Sequence, residues 1–109
     1  MTTINVLGTE YTIHETDEQT EKRLCDCDGF CDKTTKEIYI TTPPDDCNLG
    51  DWTWYRNKIL RHEIIHAFFF ESGLHENFEC KSWGISETLM DWFAVQFPKM
   101  QKVFEELKI

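Results

Sequence analysis

The stretch from Trp52 to Ser72 constrains the fold of this chain more than any other part. Asp51 can cap the start of a helix there, and Gly73 can end it in a left-handed conformation. Beyond Arg61 almost every side chain is apolar, so we expect this half of the helix to lie in the protein interior. Polar groups in such a place need partners, and three interrupt the apolar run: His62, Glu63 and His66.

These three residues form an H-E-x-x-H motif. Residues four apart lie on one face of a helix, one turn above each other, so His62 and His66 can offer two imidazoles to one metal ion. Glu63 is offset around the helix, which suits a carboxylate that accepts the proton of a metal-bound water. The alternative is a chance motif, in which the two histidines are ordinary core residues.

A catalytic zinc site needs a third protein ligand and leaves its fourth position to water. The longer motif H-E-x-x-H-x-x-G-x-x-H does not apply, because Phe69 and Ser72 occupy its glycine and last histidine positions. An acid on a following helix is the other option. Glu87 and Asp91 are four apart, so Glu87 can be the ligand while Asp91 accepts the free ring N–H of a ligand histidine. Otherwise both are exposed helix acids.

The first forty residues carry the alternating pattern of strands. One predicted hairpin joins Thr3–Leu7 to Glu10–Glu15 through Gly8-Thr9, with Ile4, Val6, Tyr11 and Ile13 facing inward. A second joins Gly29–Cys31 to Lys36–Ile40, and a short helix over Thr16–Leu24 lies between them. Further helices are predicted from Ser82 to Gln96 and, opened by Pro98, over Lys99–Lys108. The sequence therefore predicts one α+β domain over residues 1–109, with a small antiparallel sheet of hairpins packed on the central helix and two further helices.

Charge and hydropathy narrow the possible partners. The net charge is −9 over 109 residues, so the basic footprint of a nucleic-acid-binding protein is missing. No apolar run reaches the length of a membrane span, and Met1–Ile4 lacks the features of a signal peptide. We therefore expect a cytoplasmic protein with neither a membrane nor a nucleic-acid partner.

Five cysteines in a protein without a secretory signal are expected to be reduced thiols. Cys25, Cys27 and Cys31 cluster closely enough to suggest a second, structural zinc. Their spacing lacks the C-x-x-C pairs of knuckle-type sites, so half-buried cysteines in a turn are the favoured interpretation.

At this point the chain resembles a family. H-E-x-x-H followed about twenty residues later by E-x-x-x-D is the pattern of gluzincin-type metallopeptidases. The stretch Arg61–Gly73 looks like that of small zinc peptidases encoded by bacteriophages and prophages, which are similar at a distance to the ImmA/IrrE-type regulatory peptidases. The resemblance covers roughly Gly29–Phe97, and the metal motif is its specific part.

The resemblance implies a minimal zincin-like domain and a role for each matching residue. His62, His66 and Glu87 would be zinc ligands, Glu63 the general base, and Asp91 the residue that orients a ligand histidine. An edge strand would pair with an extended peptide substrate; it comprises Lys36, Glu37, Ile38, Tyr39 and Ile40. Larger gluzincins carry a transition-state donor on a second subdomain that this chain lacks, and the candidates here are His75, Tyr39 and Tyr55.

We therefore expect a zinc-dependent peptidase that acts on a peptide or protein, in the cytoplasm of a bacterial host if it is phage-encoded. One alternative is a non-catalytic module, stabilised by zinc, that binds a host protein. Another is a zinc hydrolase of a non-peptide substrate. Manganese, iron or nickel would also suit two histidines and a carboxylate.

Overall fold

The computed structural model describes residues 2–76 and 87–109, apart from the side chains of residues 76, 87, 88, 90 and 91. It is a small α+β domain, as predicted. Short 3-10 helices occupy Lys22–Cys25 and Leu74–Glu76. The strands and helices are β1 (Thr2–Val6), β2 (Thr9–Thr16), β3 (Gly29–Asp32), β4 (Glu37–Thr41), α1 (Trp52–Ser72) and α2 (Glu87–Leu107).

The first hairpin is confirmed, with its turn one residue earlier than predicted. Val6 pairs with Thr9, so Leu7 and Gly8 form the turn. Their φ angles of 52° and 95° are both positive, which is the backbone of a type I′ turn and matches the twist of the flanking strands. The predicted inward set is buried and consists of Ile4, Val6, Tyr11 and Ile13.

The sheet is mixed, so the prediction of an antiparallel sheet is wrong. The strand order is β1-β2-β4-β3, and β4 runs parallel to β2 and antiparallel to β3. The register places Ile13 beside Ile38, so that the buried side chains of the two hairpins share one face. Since β4 is paired on both sides, residues 36–40 do not form an edge strand; the edges of this sheet are β1 and β3.

The connection between the hairpins also differs from the prediction. The helix predicted over Thr16–Leu24 is wrong, because Thr16 ends β2 and only Lys22–Cys25 is helical. Asp17 accepts a hydrogen bond from the Thr20 backbone N–H at 3.0 Å, which favours a turn over a helix.

Helix α1 has the predicted bounds and caps. The Asp51 side chain accepts a hydrogen bond from the Trp54 N–H at 3.0 Å, and Gly73 ends the helix at φ 81°. The helix covers one face of the sheet, and α2 adds to the same core. The buried residues of the two helices in this core are Ile59, Leu60, Ile64, Ala67, Phe68, Met100 and Val103.

Helix α2 is continuous through Pro98, so the predicted break between two helices is wrong. A proline inside a helix removes a hydrogen bond and costs about 3 kcal/mol. The residues beyond it offset this cost, because Met100 and Val103 are buried in the common core while Trp92 and Phe93 pack against it from the preceding turns. Burial of residues on both sides of Pro98 therefore keeps α2 continuous.

Replacing Pro98 with Ala should raise the free energy of unfolding by about 1–3 kcal/mol. Alanine restores the helical N–H and removes the ring clash, and no packing is lost because Pro98 is exposed. Urea unfolding measures the change, with exposed Lys99→Ala as the control. An unchanged stability for Pro98→Ala would show that α2 is broken at this residue.

Candidate metal centre

The two histidines of the motif lie one turn apart on α1 with their rings converging. Their Nε2 atoms are 3.2 Å apart, and the rings meet edge to face at 71°. Two nitrogens bound to one tetrahedral zinc, each about 2.0–2.1 Å from the metal, are about 3.3 Å apart. His62 and His66 therefore have the spacing of ligands to one ion. A hydrogen bond between two neutral rings has a similar separation, so the spacing fits a metal without requiring one.

Glu63 completes the cluster from a buried position. Its carboxylate Oε1 lies 3.8 Å from Nε2 of His62, and its side chain is only 8% exposed, against 64% for His62. The potential ligand atoms of His62, Glu63 and His66 all lie within 4.8 Å of one another. Across residues 2–75, 89 and 92–109, whose side chains are described, no other group of three His, Cys, Asp or Glu comes together in this way.

Burial sets the proton chemistry of this cluster. It raises the pKa of Glu63 to about 7, because the charged carboxylate loses water. Such a carboxyl group can both take up and return a proton near neutral pH. Desolvation, followed by the neighbouring His62 and His75, lowers the pKa of His66. The neutral imidazole is the form that binds metals.

The two acids predicted to complete the site are not tested. Glu87 is the first residue of α2, and Asp91 lies one turn further along, but their side chains lie outside the described part of the chain. The packing of the next turn is described: the Trp92 ring meets Phe69 at 4.7 Å, and its Nε1–H donates to Ser72 Oγ at 3.1 Å. The first turns of α2 therefore lie against the end of α1 that carries His66.

His75 is the one candidate transition-state donor that the structure brings to the cluster. Its ring meets the Phe70 ring edge on at 4.4 Å, and Phe70 stacks on His66 with centroids 6.1 Å apart. His75 also contributes to the lowered pKa of His66, which places its charge within electrostatic reach.

The two tyrosine candidates do not lie at the cluster. Tyr39 alternates with buried Ile38 and Ile40, so its ring is on the sheet face away from α1. There it stacks on His14 and Phe30, at 4.4 and 4.9 Å. Tyr39 is therefore not part of the cluster on α1.

Tyr55 is on α1 but precedes His62 by two turns, about 10 Å along the axis. Its hydroxyl donates to the Asp28 carboxylate, next to the start of β3. The Tyr55 hydroxyl therefore lies at the start of β3, away from the two histidines.

Sequence reasoning missed the close contact between β3 and the general-base candidate. A Cβ atom at Gly29 would lie 2.8 Å from Ile59 Cγ2, 3.0 Å from the Tyr39 carbonyl oxygen and 3.3 Å from Glu63 Cγ. The available signal was a glycine at the start of a predicted strand, which often marks the close approach of another element.

The cysteine cluster has the properties of protonated thiols. Burial raises the pKa of Cys31 to about 12, with Glu63 adding to the effect, and it also raises the pKa of Cys27. Cys27 Sγ donates to the Arg23 carbonyl at 3.3 Å, while a hydrogen bond to Asp26 raises the pKa of the Cys25 thiol. A metal would have to displace these protons to bind the three sulfurs.

No family model, curated protein or solved structure matches this chain. Nor does any helix in the described residues combine the length and apolar character that crossing a bilayer requires. The motif and its geometry are therefore the features of this chain that indicate a function.

Proposed function

We propose that this protein is a zinc-dependent peptidase in which Glu63 is the general base. The observation that carries the proposal is the arrangement on α1: two imidazole nitrogens 3.2 Å apart, beside a carboxyl group that is almost fully buried. A structural zinc site has no use for such a carboxyl beside an open coordination position. This contrast favours an enzyme over the alternative, a non-catalytic zinc-stabilised module that binds a host protein.

His62 and His66 would hold the metal, with Glu87 as the proposed third ligand and Asp91 as the residue that orients one histidine. The contacts of Trp92 with Phe69 and Ser72 support this, because they bring the first turns of α2 against α1. Bound zinc would lower the pKa of a water molecule towards about 7 and polarise a substrate carbonyl.

Glu63 would move the proton that peptide hydrolysis requires. Its carboxylate accepts a proton from the attacking water and then donates it to the nitrogen of the leaving amine. Burial raises the pKa of this carboxyl group, which favours its holding the proton between the two steps. His75 is the proposed donor to the oxygen of the transition state, since it alone of the three candidates lies near His66.

The peptide substrate would pair with β3 rather than with β4. Both sides of β4 are already hydrogen-bonded, whereas β3 in the described residues pairs with β4 alone. An extended peptide gains affinity from main-chain hydrogen bonds to such an edge. The cytoplasmic location remains a prediction from the sequence, and the phage origin and bacterial host remain predictions from the family resemblance.

Metal content and metal-dependent hydrolysis test the proposal together. Elemental mass spectrometry of tag-free protein should find about one zinc per chain, and His62→Ala or His66→Ala should lose it, because a catalytic site has only three protein ligands. His14→Ala is the matched control, since His14 binds Glu37 on the opposite face of the sheet. Chelation should stop cleavage of an unfolded protein substrate, and added zinc should restore it.

Two results would contradict the proposal. Absence of bound metal after zinc is offered at neutral pH would show that the two histidines are an ordinary pair. One zinc per chain without cleavage of unfolded proteins or peptide libraries would favour the binding module instead.

A further inference from the structure

We propose that Gly29 is a positioning residue for Glu63, an inference that rests on the peptidase function proposed above. Gly29 is the first residue of β3. It faces α1 at the point where the Glu63 side chain projects from the helix. A Cβ atom there would meet Ile59 Cγ2 at 2.8 Å and Glu63 Cγ at 3.3 Å, both shorter than ordinary carbon–carbon contacts. The missing side chain of Gly29 is therefore what lets β3 lie directly on the stem of Glu63.

Packing, rather than hydrogen bonding, holds the Glu63 carboxylate. No hydrogen bond joins this carboxylate to another described residue, and His62 Nε2, at 3.8 Å, is beyond hydrogen-bonding distance. The stem lies between Ile59, one turn earlier on the same face of α1, and the backbone of β3. A change in the gap between β3 and α1 therefore moves the carboxylate directly.

A methyl group at residue 29 would have to widen that gap. Ile59 Cγ2 sits on a β-branched carbon and can move only by a change of χ1 rotamer in a helix that strongly prefers one. The third close atom, the Tyr39 carbonyl oxygen at 3.0 Å, is backbone of the central strand β4. Because neither Ile59 nor the Tyr39 carbonyl can move aside, we expect β3 to move away from α1. The Glu63 side chain then loses its packing contact with β3.

The expected effect is a loss of catalytic rate without a loss of metal. Misplacing a catalytic group by about 1 Å can cost 100-fold in rate. We therefore expect Gly29→Ala to lower kcat about 10- to 100-fold. KM should change little and zinc content should not change, because Glu63 is not a metal ligand in the proposed site.

The experiment compares Gly29→Ala with Gly50→Ala, a matched substitution at a glycine whose added Cβ would meet nothing within 4 Å. The measurements are kcat, KM, zinc content and the visible spectrum of protein loaded with Co²⁺ in place of zinc. Gly29→Ala should shift that spectrum towards the spectrum of Glu63→Ala, whereas Gly50→Ala should match wild type. A purely structural role for Gly29 would lower stability without changing the spectrum of the folded protein.

If Gly29→Ala does not fold, Gly29→Ala combined with Ile59→Leu takes its place, since leucine keeps the size of isoleucine but lacks the Cγ2 methyl that the added Cβ would meet at 2.8 Å. The added Cβ still crowds Glu63 there, so the same loss of kcat is expected. A kcat and cobalt spectrum equal to those of the Gly50→Ala control would overturn the positioning role and leave the peptidase proposal intact. Matching cobalt spectra for Gly29→Ala and Glu63→Ala, in a protein that never hydrolyses peptides, would support the positioning of Glu63 and reject the peptidase.

Discussion

Replacing Glu63 with Gln should lower the rate of peptide hydrolysis about 100- to 10,000-fold while the protein keeps its zinc. Glutamine has nearly the same shape, so the packing against β3 is retained, but its amide cannot accept the proton of the attacking water. The side chain is 8% exposed, so bulk solvent cannot readily replace it as the base. Steady-state kinetics and metal content should be measured on the same preparations.

Glu10→Gln is the matched control for this substitution. Glu10 lies on β2 with an exposed side chain, and the same change of charge there should leave kcat unchanged. Wild-type activity in Glu63→Gln would reject Glu63 as the general base. Loss of zinc together with activity would instead assign Glu63 a role in holding the metal.

Replacing Glu71 with Ala should lower the free energy of unfolding by about 2–4 kcal/mol. The Glu71 carboxylate accepts hydrogen bonds from Lys36 Nζ at 2.7 Å, Tyr11 Oη at 2.8 Å and Thr9 Oγ1 at 3.1 Å. It joins the end of α1 to β2 and to the turn before β4, and Tyr11 is fully buried. Alanine leaves a buried hydroxyl without a partner. The Lys36 side chain is 41% exposed, so the ion pair itself contributes only modestly.

A double-mutant cycle identifies the cause of this loss. In the Glu71→Ala background, Tyr11→Phe should recover part of the stability, because it removes the unpaired hydroxyl. Urea unfolding measures all the variants, with Glu10→Ala as the exposed control. A loss below about 0.5 kcal/mol for Glu71→Ala would be that of an ordinary surface residue and would contradict the prediction.

The same carboxylate should make stability depend on pH in the acid range. The hydrogen bond from Lys36, followed by those from Tyr11 and Thr9, lowers the pKa of Glu71 below its ordinary value of 4.5. The folded state therefore releases this proton more readily than the unfolded state does. The contribution is fully present above about pH 4.5 and is lost as the pH falls through the folded pKa. Glu71→Gln should flatten the fall of stability over this window.

The features that depend on neighbours in sequence were predictable. The caps at Asp51 and Gly73 fixed α1 at both ends, and alternation identified the inward residues of the first hairpin. H-E-x-x-H gave the metal-site candidates for the same reason, because an i, i+4 relation within one helix needs no tertiary information.

The features that depend on contacts between distant residues were not predictable. The pairing of Ile13 with Ile38 decides that β4 is a central strand, and no local pattern specifies it. Helix α2 continues through Pro98 because of the burial of Met100 and Val103, which overrides local propensity. The contact of Gly29 with Glu63 likewise joins a strand to a helix more than thirty residues later.

The parallel pairing of β2 with β4 also determines when the site forms as the chain folds. Each hairpin joins residues that are close in the sequence. The parallel pairing begins where the Thr12 N–H donates to the Lys36 carbonyl, so it joins residues that are much further apart in the sequence. Contacts between residues distant in sequence carry a larger loop-closure entropy and form more slowly. We therefore expect the two hairpins to form early and to pack against α1 late. Glu63 becomes buried only when that late step is complete. In a chain that has not yet completed it, the H-E-x-x-H motif is present but the Glu63 carboxylate is still exposed to water.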